Sequence, residues 1–404
     1  MNKLHKSVLS LILLFVVAFF SFSNVAYAEG GDHNSDKPYD PVATAMHHIA
    51  DANEIHVFGD FHLPLPVILY APGEGVGSGW TICSSSKFHH GSYNGYVMDH
   101  GRIKRLQDPA MTIEHIDSTT YNDDAKMAYV WSHDKQYQLE AASTADGGIF
   151  GGGITSFYDF SITKNVFTML LATLLLCLIF LSTASAYKKR EGQAPKGLQS
   201  LMETLFLFIR DNVSRPMIGE KHYERFQPFI MSLFFFILVC NLMGLIPFFP
   251  GSANVTGNLG VTMALAIITF IVVSINGNKH YWEHILWMPG IPAWVKIILT
   301  PVEIMGMFIK PFSLMIRLFA NITAGHIIIL SLVGLIFVFG ENGQNMGGAF
   351  GGGVIGVMFT MFMNIIELIV SFIQAFIFAT LTASYIGAAV EEGHDHDHAE
   401  AEHH

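Results

Sequence analysis

Residues 313–330 read SLMIRLFANITAGHIIIL, an apolar run of membrane grade with an arginine inside it. Between Lys310 and Glu341 the only formal charge is Arg317. The next run, Asn342 to Val390, also carries one formal charge, Glu367. An arginine at bilayer depth costs at least ~2.5–3.5 kcal/mol. It does not escape that cost by losing its proton, because its pKa lies above ~12. A chain that keeps such a group in hydrocarbon is using a fixed positive charge. The expectation is an ion path with a carboxylate as its partner.

The surrounding sequence sets the class. The chain has 404 residues, 51% hydrophobic and 14% charged, with mean hydropathy +0.40. That composition describes an all-α polytopic membrane protein with a polar appendage. A formal net charge of −11 argues against nucleic acid as a partner. Three cysteines are too few for a disulfide framework. Cys177 and Cys240 lie in apolar runs and read as packing, whereas Cys83 sits in the polar region without an intramolecular partner there.

The N-terminus reads as a secretory signal over residues 1–28. Lys3, His5 and Lys6 form a basic start, Val8 to Phe22 an apolar core, and Ala26-Tyr27-Ala28 a small-x-small cleavage site. An uncleaved first membrane helix is the other reading, and either one exports the residues after it. Residues 29–155 then form a small exported β-rich region. IHVFGDFHLPLPVILY, SYNGYVMDHGRIKRL and AYVWSHDKQYQLEA supply β-branched and aromatic runs between turn signals. GGIFGGGITS, residues 148–157, reads as a linker.

Five membrane-embedded helices are expected. Asn165 to Tyr187 is uncharged and long enough to span. Lys188-Lys189-Arg190 come directly after it and mark a cytoplasmic end. Residues 197–227 read as an amphipathic helix on that face. Pro228 to Phe249 and Leu259 to Asn276 are the second and third spans. Lys310 to Gly340 would be ~46 Å long as a helix, longer than the ~30 Å hydrocarbon core, so it must tilt, kink or lie along the membrane. Gly353 to Val390 is longer still. ENGQNMGGAFGGG between them reads as a turn joining the last two helices as an antiparallel hairpin. The N-terminus is then outside and the C-terminus inside. The tail, residues 391–404, is acidic and rich in histidine; it reads as solvated and disordered, with HDHDH as a weak Zn²⁺ or Ni²⁺ binder the lesser reading.

In such a hairpin the pairs Arg317/Gln374 and His326/Glu367 share a midpoint about residue 346, where the sequence independently places Met346-Gly347-Gly348. Arginine would face an amide, and two to three turns away a histidine would face a carboxylate. His326 and Glu367 can both titrate and together relay protons near neutrality. Arg317 cannot; it favours the charged form of a nearby carboxylate and bars a bare proton. Gln374 can orient the guanidinium, and Asn321 lies one turn along the same face. Intramembrane Thr323, Asn364 and Ser371 read equally well as ties between helices. Asn241, in LVCNLMGLIPFFP, either lines a polar path or ties helices.

PVEIMGMFIKPFSLMIRLFANITAGH, with SFIQAFIFATLTASYI further on and supported by NLMGLIP, resembles subunit a of the F-type ATP synthase, over residues 156–390. The resemblance implies a non-catalytic, proton-translocating stator without cofactors. Two offset aqueous half-channels would lead to a carboxylate on a rotating ring of c subunits, with Arg317 between them. Asn321, His326, Glu367 and Gln374 match polar positions of the path, and Glu303 and Lys310 match charged positions at the cytoplasmic end. The implied partners are the c ring, the b-subunit peripheral stalk, the F1 sector indirectly, and membrane lipid; the implied location is a bacterial inner membrane. Two departures stand out: Gly244 replaces an acid found in some relatives, and residues 29–155 exceed the usual short N-terminus.

A polytopic metal-ion transporter is the alternative, prompted by the 20 histidines. It is disfavoured because they concentrate outside the spans, and a metal path needs several ligands with appropriate spacing. A membrane-bound enzyme or receptor with an exported domain is disfavoured because residues 29–155 show no convincing nucleophile triad or metal motif; the adjacent pairs His47-His48 and His89-His90 do not share a helix face.

Overall fold

The computed structural model describes residues 50–58, 61–89, 91–99, 101–122, 127–133, 135–140, 156–246, 253–287, 292–340 and 345–391. The expected signal, most of the Gly-rich linker, the tail with HDHDH, and the His47-His48 pair lie outside the described residues. Two compact units divide the chain. One holds the residues up to Phe167 with segments 246–253 and Leu330–Phe359; the other holds Thr168–Leu245, Asn254–Ile329 and everything from Thr360.

The first unit contains the β-rich region. Its strands are β1 (Glu54–Phe58), β2 (Phe61–Pro64), β3 (Pro66–Ala71), β4 (Gly79–Ser84), β5 (Tyr96–Asp99), β6 (Arg102–Arg105), β7 (Ser118–Asn122), β8 (Met127–Ser132), β9 (Lys135–Gln138) and β10 (Tyr158–Asp159). All pair antiparallel, in the orders β1-β2, β10-β3-β4, β5-β6 and β7-β8-β9. Period-two burial explains β3: Val67, Leu69 and Ala71 are fully buried, with Ile68 and Tyr70 on the other face. Those three pack with Phe88, Tyr96, Ile103 and Phe157; a second cluster gathers Val97, Leu106, Ile113 and Val130. Gly91, with a positive φ of 137°, passes so close to the Ile113 carbonyl that a side chain would collide with it.

No slack separates this region from the first long helix. The Phe160 and Ile162 amides donate to the Ile68 and Pro66 carbonyls at 2.8 and 3.0 Å. The Lys164 amide donates to the Ala52 carbonyl at 2.8 Å, and Asp51 Oδ1 accepts from the Asn165 amide at 3.2 Å. Asp51 thereby caps the helix start from over a hundred residues upstream.

The helices are α1 (Lys164–Lys189), α2 (Leu198–Ile209), a π-turn (Arg210–Ser214), α3 (Arg215–Ile218), α4 (Tyr223–Gly244), α5 (Leu259–Asn276), α6 (Lys279–Trp287), α7 (Ala293–Phe339) and α8 (Met346–Val390). Five of them, α1, α4, α5, α7 and α8, are long and apolar enough to cross a membrane. The core of the second unit is centred on α4. Ile230, Phe234 and Ile237 are fully buried and cluster with Ala375, Ala379, Ala383 and Ile386 of α8. Alanine at every fourth position lets α8 approach the bulky α4 face closely.

Three boundaries differ from the sequence expectation. α4 starts at Tyr223, so Pro228 lies inside it, in the second turn. α7 starts at Ala293 rather than Lys310 and runs for 47 residues through Pro301 and Pro311. Proline is tolerated in such helices because neighbouring groups re-satisfy the freed carbonyls. α8 starts at Met346 and absorbs the glycines expected in a turn. Gly348, Gly352 and Gly356 recur every four residues and lie against Phe339, Leu335 and Leu332 of α7; a Cβ on Gly352 would stand 2.9 Å from the Phe339 side chain, and one on Gly356 2.8 Å from the Leu332 carbonyl. They act as close-approach residues, not as turn residues.

Candidate functional site

In the second unit, Glu367 and Ser371 of α8 lie against polar groups of α7 and α4. Glu367 on α8 is only 3% exposed, and neither carboxylate oxygen has a hydrogen-bond partner among the described residues. His326 of α7 faces it, with Nδ1 at 3.8 Å from Oε1. That is ion-pair range and too long for a direct hydrogen bond. Gly325 makes the space: a Cβ there would lie 2.8 Å from Glu367 Oε1. Sequence alone did not single out Gly325, since a glycine beside a histidine carries no signal of what faces it.

A second polar group links three elements. Asn241, fully buried on α4, donates through Nδ2 to the Ser371 carbonyl of α8 at 3.1 Å. Its Oδ1 accepts from Thr256 Oγ1 at 2.6 Å. Thr256 belongs to the connection between α4 and α5, in which Asn254, Val255 and Thr256 are all buried. Asn254 Oδ1 accepts from the Gly257 amide at 3.0 Å, and Thr323 of α7 donates to the Gly257 carbonyl at 3.4 Å. This loop therefore ties α4 to α7. Asn241 thus bonds both to α8 and to the loop after α4. Thr256 was missed because its loop reads as ordinary external sequence.

The other expected residues are spread along the same two helices. Arg317 is half-buried and Asn321 exposed on α7; Gln374 is buried on α8. No hydrogen bond joins Arg317 to Gln374 among the described residues, and no described carboxylate lies within ion-pair distance of Arg317. Glu303, Lys310 and Arg317 recur every seven residues, which sets them along one side of α7. Glu303 is half-buried, and the Lys310 ammonium stands 5.6 Å from the centre of the Tyr385 ring. Among the described residues no three His, Cys, Asp or Glu side chains converge as a metal site.

These features define a class: a polytopic membrane protein whose two longest helices carry an ionisable pair and an arginine with no counter-ion among the described residues. Residues 166–387, just over half of the chain, match the model of the family described as ATP synthase A chain, and the chain belongs to that family. Residues 44–149 match a domain of unknown function, DUF8433. The chain is 44% identical over 251 residues to ATP synthase subunit a of Chloroherpeton thalassium, covering 59% of this chain and 71% of that one. It is 41% identical over 251 residues to ATP synthase subunit a 2 of Chlorobaculum tepidum, covering 61% and 68%. It is 38% identical over 262 residues to ATP synthase subunit a of Myxococcus xanthus, covering 63% and 81%.

The buried Thr256–Asn241 hydrogen bond has a measurable consequence. Thr256→Val keeps the shape but strands the Asn241 oxygen, at an expected cost of about 1–3 kcal/mol. The thermal unfolding midpoint in detergent should fall for Thr256→Val and hold for Thr256→Ser. A valine variant as stable as wild type would show that the bond contributes nothing.

Proposed function

We propose that this chain is the proton-translocating stator of an F-type ATP synthase Fo sector, and that Arg317 separates two aqueous half-channels leading to a carboxylate on a ring of c subunits. The observation that carries this is a fixed guanidinium in an apolar helix with no described counter-ion in its own chain. Such a charge is retained where a carboxylate arrives from another subunit. Family membership supports the same reading.

α7 and α8 pair as an antiparallel hairpin in this proposal. The glycines of α8 against Leu332–Phe339, and separately Glu367 against Gly325 and His326, support the pairing. Glu367 and His326 form a proton relay in one half-channel. Glu367 accepts a proton when ionised and releases it to a neighbouring water or imidazole; the imidazole nitrogens do the same across the 3.8 Å gap. Gln374 and Asn321 shape the polar surroundings of Arg317. Asn241 holds α8 in place beside the relay through the Ser371 carbonyl. Glu303 and Lys310 line the cytoplasmic end. The peripheral stalk of b subunits fixes the stator, and F1 couples to it indirectly.

Arg317→Ala should abolish both ATP-driven proton pumping and ATP synthesis in inverted vesicles, with the complex still assembled. Arg317→Lys should fail as well, because a desolvated lysine can lose its proton and lacks the guanidinium fork. Wild-type pumping by either variant would rule out the fixed-charge barrier.

His326 and Glu367 should be energetically coupled. His326→Ala and Glu367→Gln should each slow proton flux, and the exchange His326→Glu with Glu367→His should recover more flux than either half of the exchange alone. A double-mutant cycle without interaction energy would reject the relay.

The proposed topology places residues 1–28 as an export signal, 29–155 outside, and the tail after Glu391 in the cytoplasm of a bacterial inner-membrane protein. Lys188 and Lys189 in the last turn of α1, with Arg190 directly after it, support it. With the native cysteines replaced, Ser118→Cys should react with an impermeant thiol reagent from the outer face and Ala399→Cys should not. The reverse pattern would invert the topology.

A further inference from the structure

The outward face of the β10-β3-β4 sheet is aromatic and uncovered. Tyr70 stands opposite both Trp80 and Tyr158 in the strand register. The four rings Tyr70, Trp80, Tyr158 and Phe160 form one connected patch, with centroid separations of 5.0 Å (Tyr70–Trp80), 5.9 Å (Trp80–Phe160) and 6.5 Å (Tyr158–Phe160). Ile68 and Ile82 extend it. Trp80, Ile82, Tyr158 and Phe160 are 62%, 70%, 61% and 58% exposed. None of the six carries a formal charge. The opposite face of the same strands already forms the core through Val67 and Leu69, so the patch is not needed to hold the sheet together. A contiguous exposed patch of this kind marks a protein or membrane contact.

We infer that this aromatic face is a lipid-docking surface, seating the β-rich region in the headgroup layer of the membrane that α1 enters. Three observations choose lipid as the occupant. Phe160 lies four residues before Lys164, the first residue of a helix long and apolar enough to span. At ~3.3 Å per extended residue the patch edge cannot stand more than about 13 Å from that helix start. The backbone between them is fixed rather than slack, because Phe160 and Ile162 pair with β3 and the Lys164 and Asn165 amides are held by Ala52 and Asp51. The composition, one Trp, two Tyr and one Phe without charge, is that of the aromatic belts found at membrane interfaces, where the rings bury while the indole N–H and phenol O–H stay hydrated. An anchor of this type holds the start of α1 at fixed depth and keeps the exported region from swinging freely.

The test uses the full chain in nanodiscs of phosphatidylcholine, plain or brominated at a shallow acyl position. The chain has five tryptophans, so the emission lost on Trp80→Phe isolates Trp80. Burial about 5–10 Å into the headgroup boundary predicts that brominated lipid quenches the Trp80 share at least about twofold. Trp131→Phe, at a site hydrogen-bonded to Thr120 in a different sheet, should remove emission equally in both lipids. The same quenching should persist in nanodiscs holding the assembled synthase. Equal Trp80 emission in plain and brominated lipid would overturn the proposal. So would quenching that disappears on assembly, since the face would then belong to another subunit. Phenylalanine at an exposed aromatic position does not test the fold, and Ile82→Cys carrying a nitroxide, with the native cysteines replaced, reads the same depth by collision with oxygen against a water-soluble nickel chelate. None of these readouts depends on proton transport, so the outcome stands apart from the proposed relay.

Discussion

The carboxyl group of Glu367 sets the terms for the membrane-spanning part of this chain. A buried carboxyl without hydrogen bonds is expensive, by several kcal/mol in its neutral form and far more when ionised. Helices around it must leave room, supply polarity and still pack. Gly325 leaves the room, because any side chain at 325 would press on the carboxyl. His326 supplies the polarity. The Asn241–Thr256–Ser371 chain of hydrogen bonds restores order next to it, fixing α8 to α4 one turn from Glu367. The alanine face of α8 then completes the packing against the α4 phenylalanines.

Much of this was legible because charge is so scarce in the sequence. One arginine and one glutamate in two long apolar runs pick themselves out, and antiparallel geometry matches His326 with Glu367 from numbering alone. The matching of Arg317 with Gln374 has no hydrogen bond to support it; register constrains which turns of two helices are level, but not which way a long side chain extends. Helix ends were less legible. Pro301, Pro311 and the flanking charges Glu303 and Lys310 look like a boundary by the rules of soluble helices, yet α7 runs through all four. The glycines at 347–353 look like a turn by the same rules, yet Gly348 and Gly352 sit in α8 because α7 passes too close for any side chain. In water a glycine usually reports backbone freedom; between apolar helices it more often reports proximity. Thr256 and Gly325 were illegible for a related reason. Their importance lies in what faces them, and a single sequence does not state that.

The β-rich region was legible in kind, from its alternating β-branched and aromatic runs, and the linker expected after it bears on its attachment. Residues 148–155 lie outside the described residues, but from Ser156 onward the chain is already committed: Phe157 is in the core and Tyr158 and Asp159 form a strand beside β3. From Ser156 to α1 the described backbone is hydrogen-bonded to β3 and to Ala52 and Asp51. The region is therefore joined to the first long helix by hydrogen-bonded backbone, with Asp51 capping the helix and paired at 3.6 Å with Arg102.

Fixed and titratable charges do separate work in the proposed path, and the residue types reflect that division. A barrier to protons must keep its charge in every state of the cycle, which only a guanidinium does in a low-dielectric site. A relay must change charge in every cycle, which calls for groups whose ordinary range lies near or below neutrality, such as imidazole and carboxyl. Placing the arginine beside the relay acid would let the fixed charge hold that carboxylate permanently ionised. In the proposed path the two functions are spaced along it: Arg317 and His326 lie nine residues, about two and a half turns, apart on α7, and the acid faces His326 from α8. Nine residues of helix rise about 13 Å, beyond the Debye length of roughly 8 Å in physiological salt wherever water reaches the path. In the proposed path the arginine is thus set apart from the relay imidazole along α7, while remaining available to a carboxylate that approaches from outside the chain.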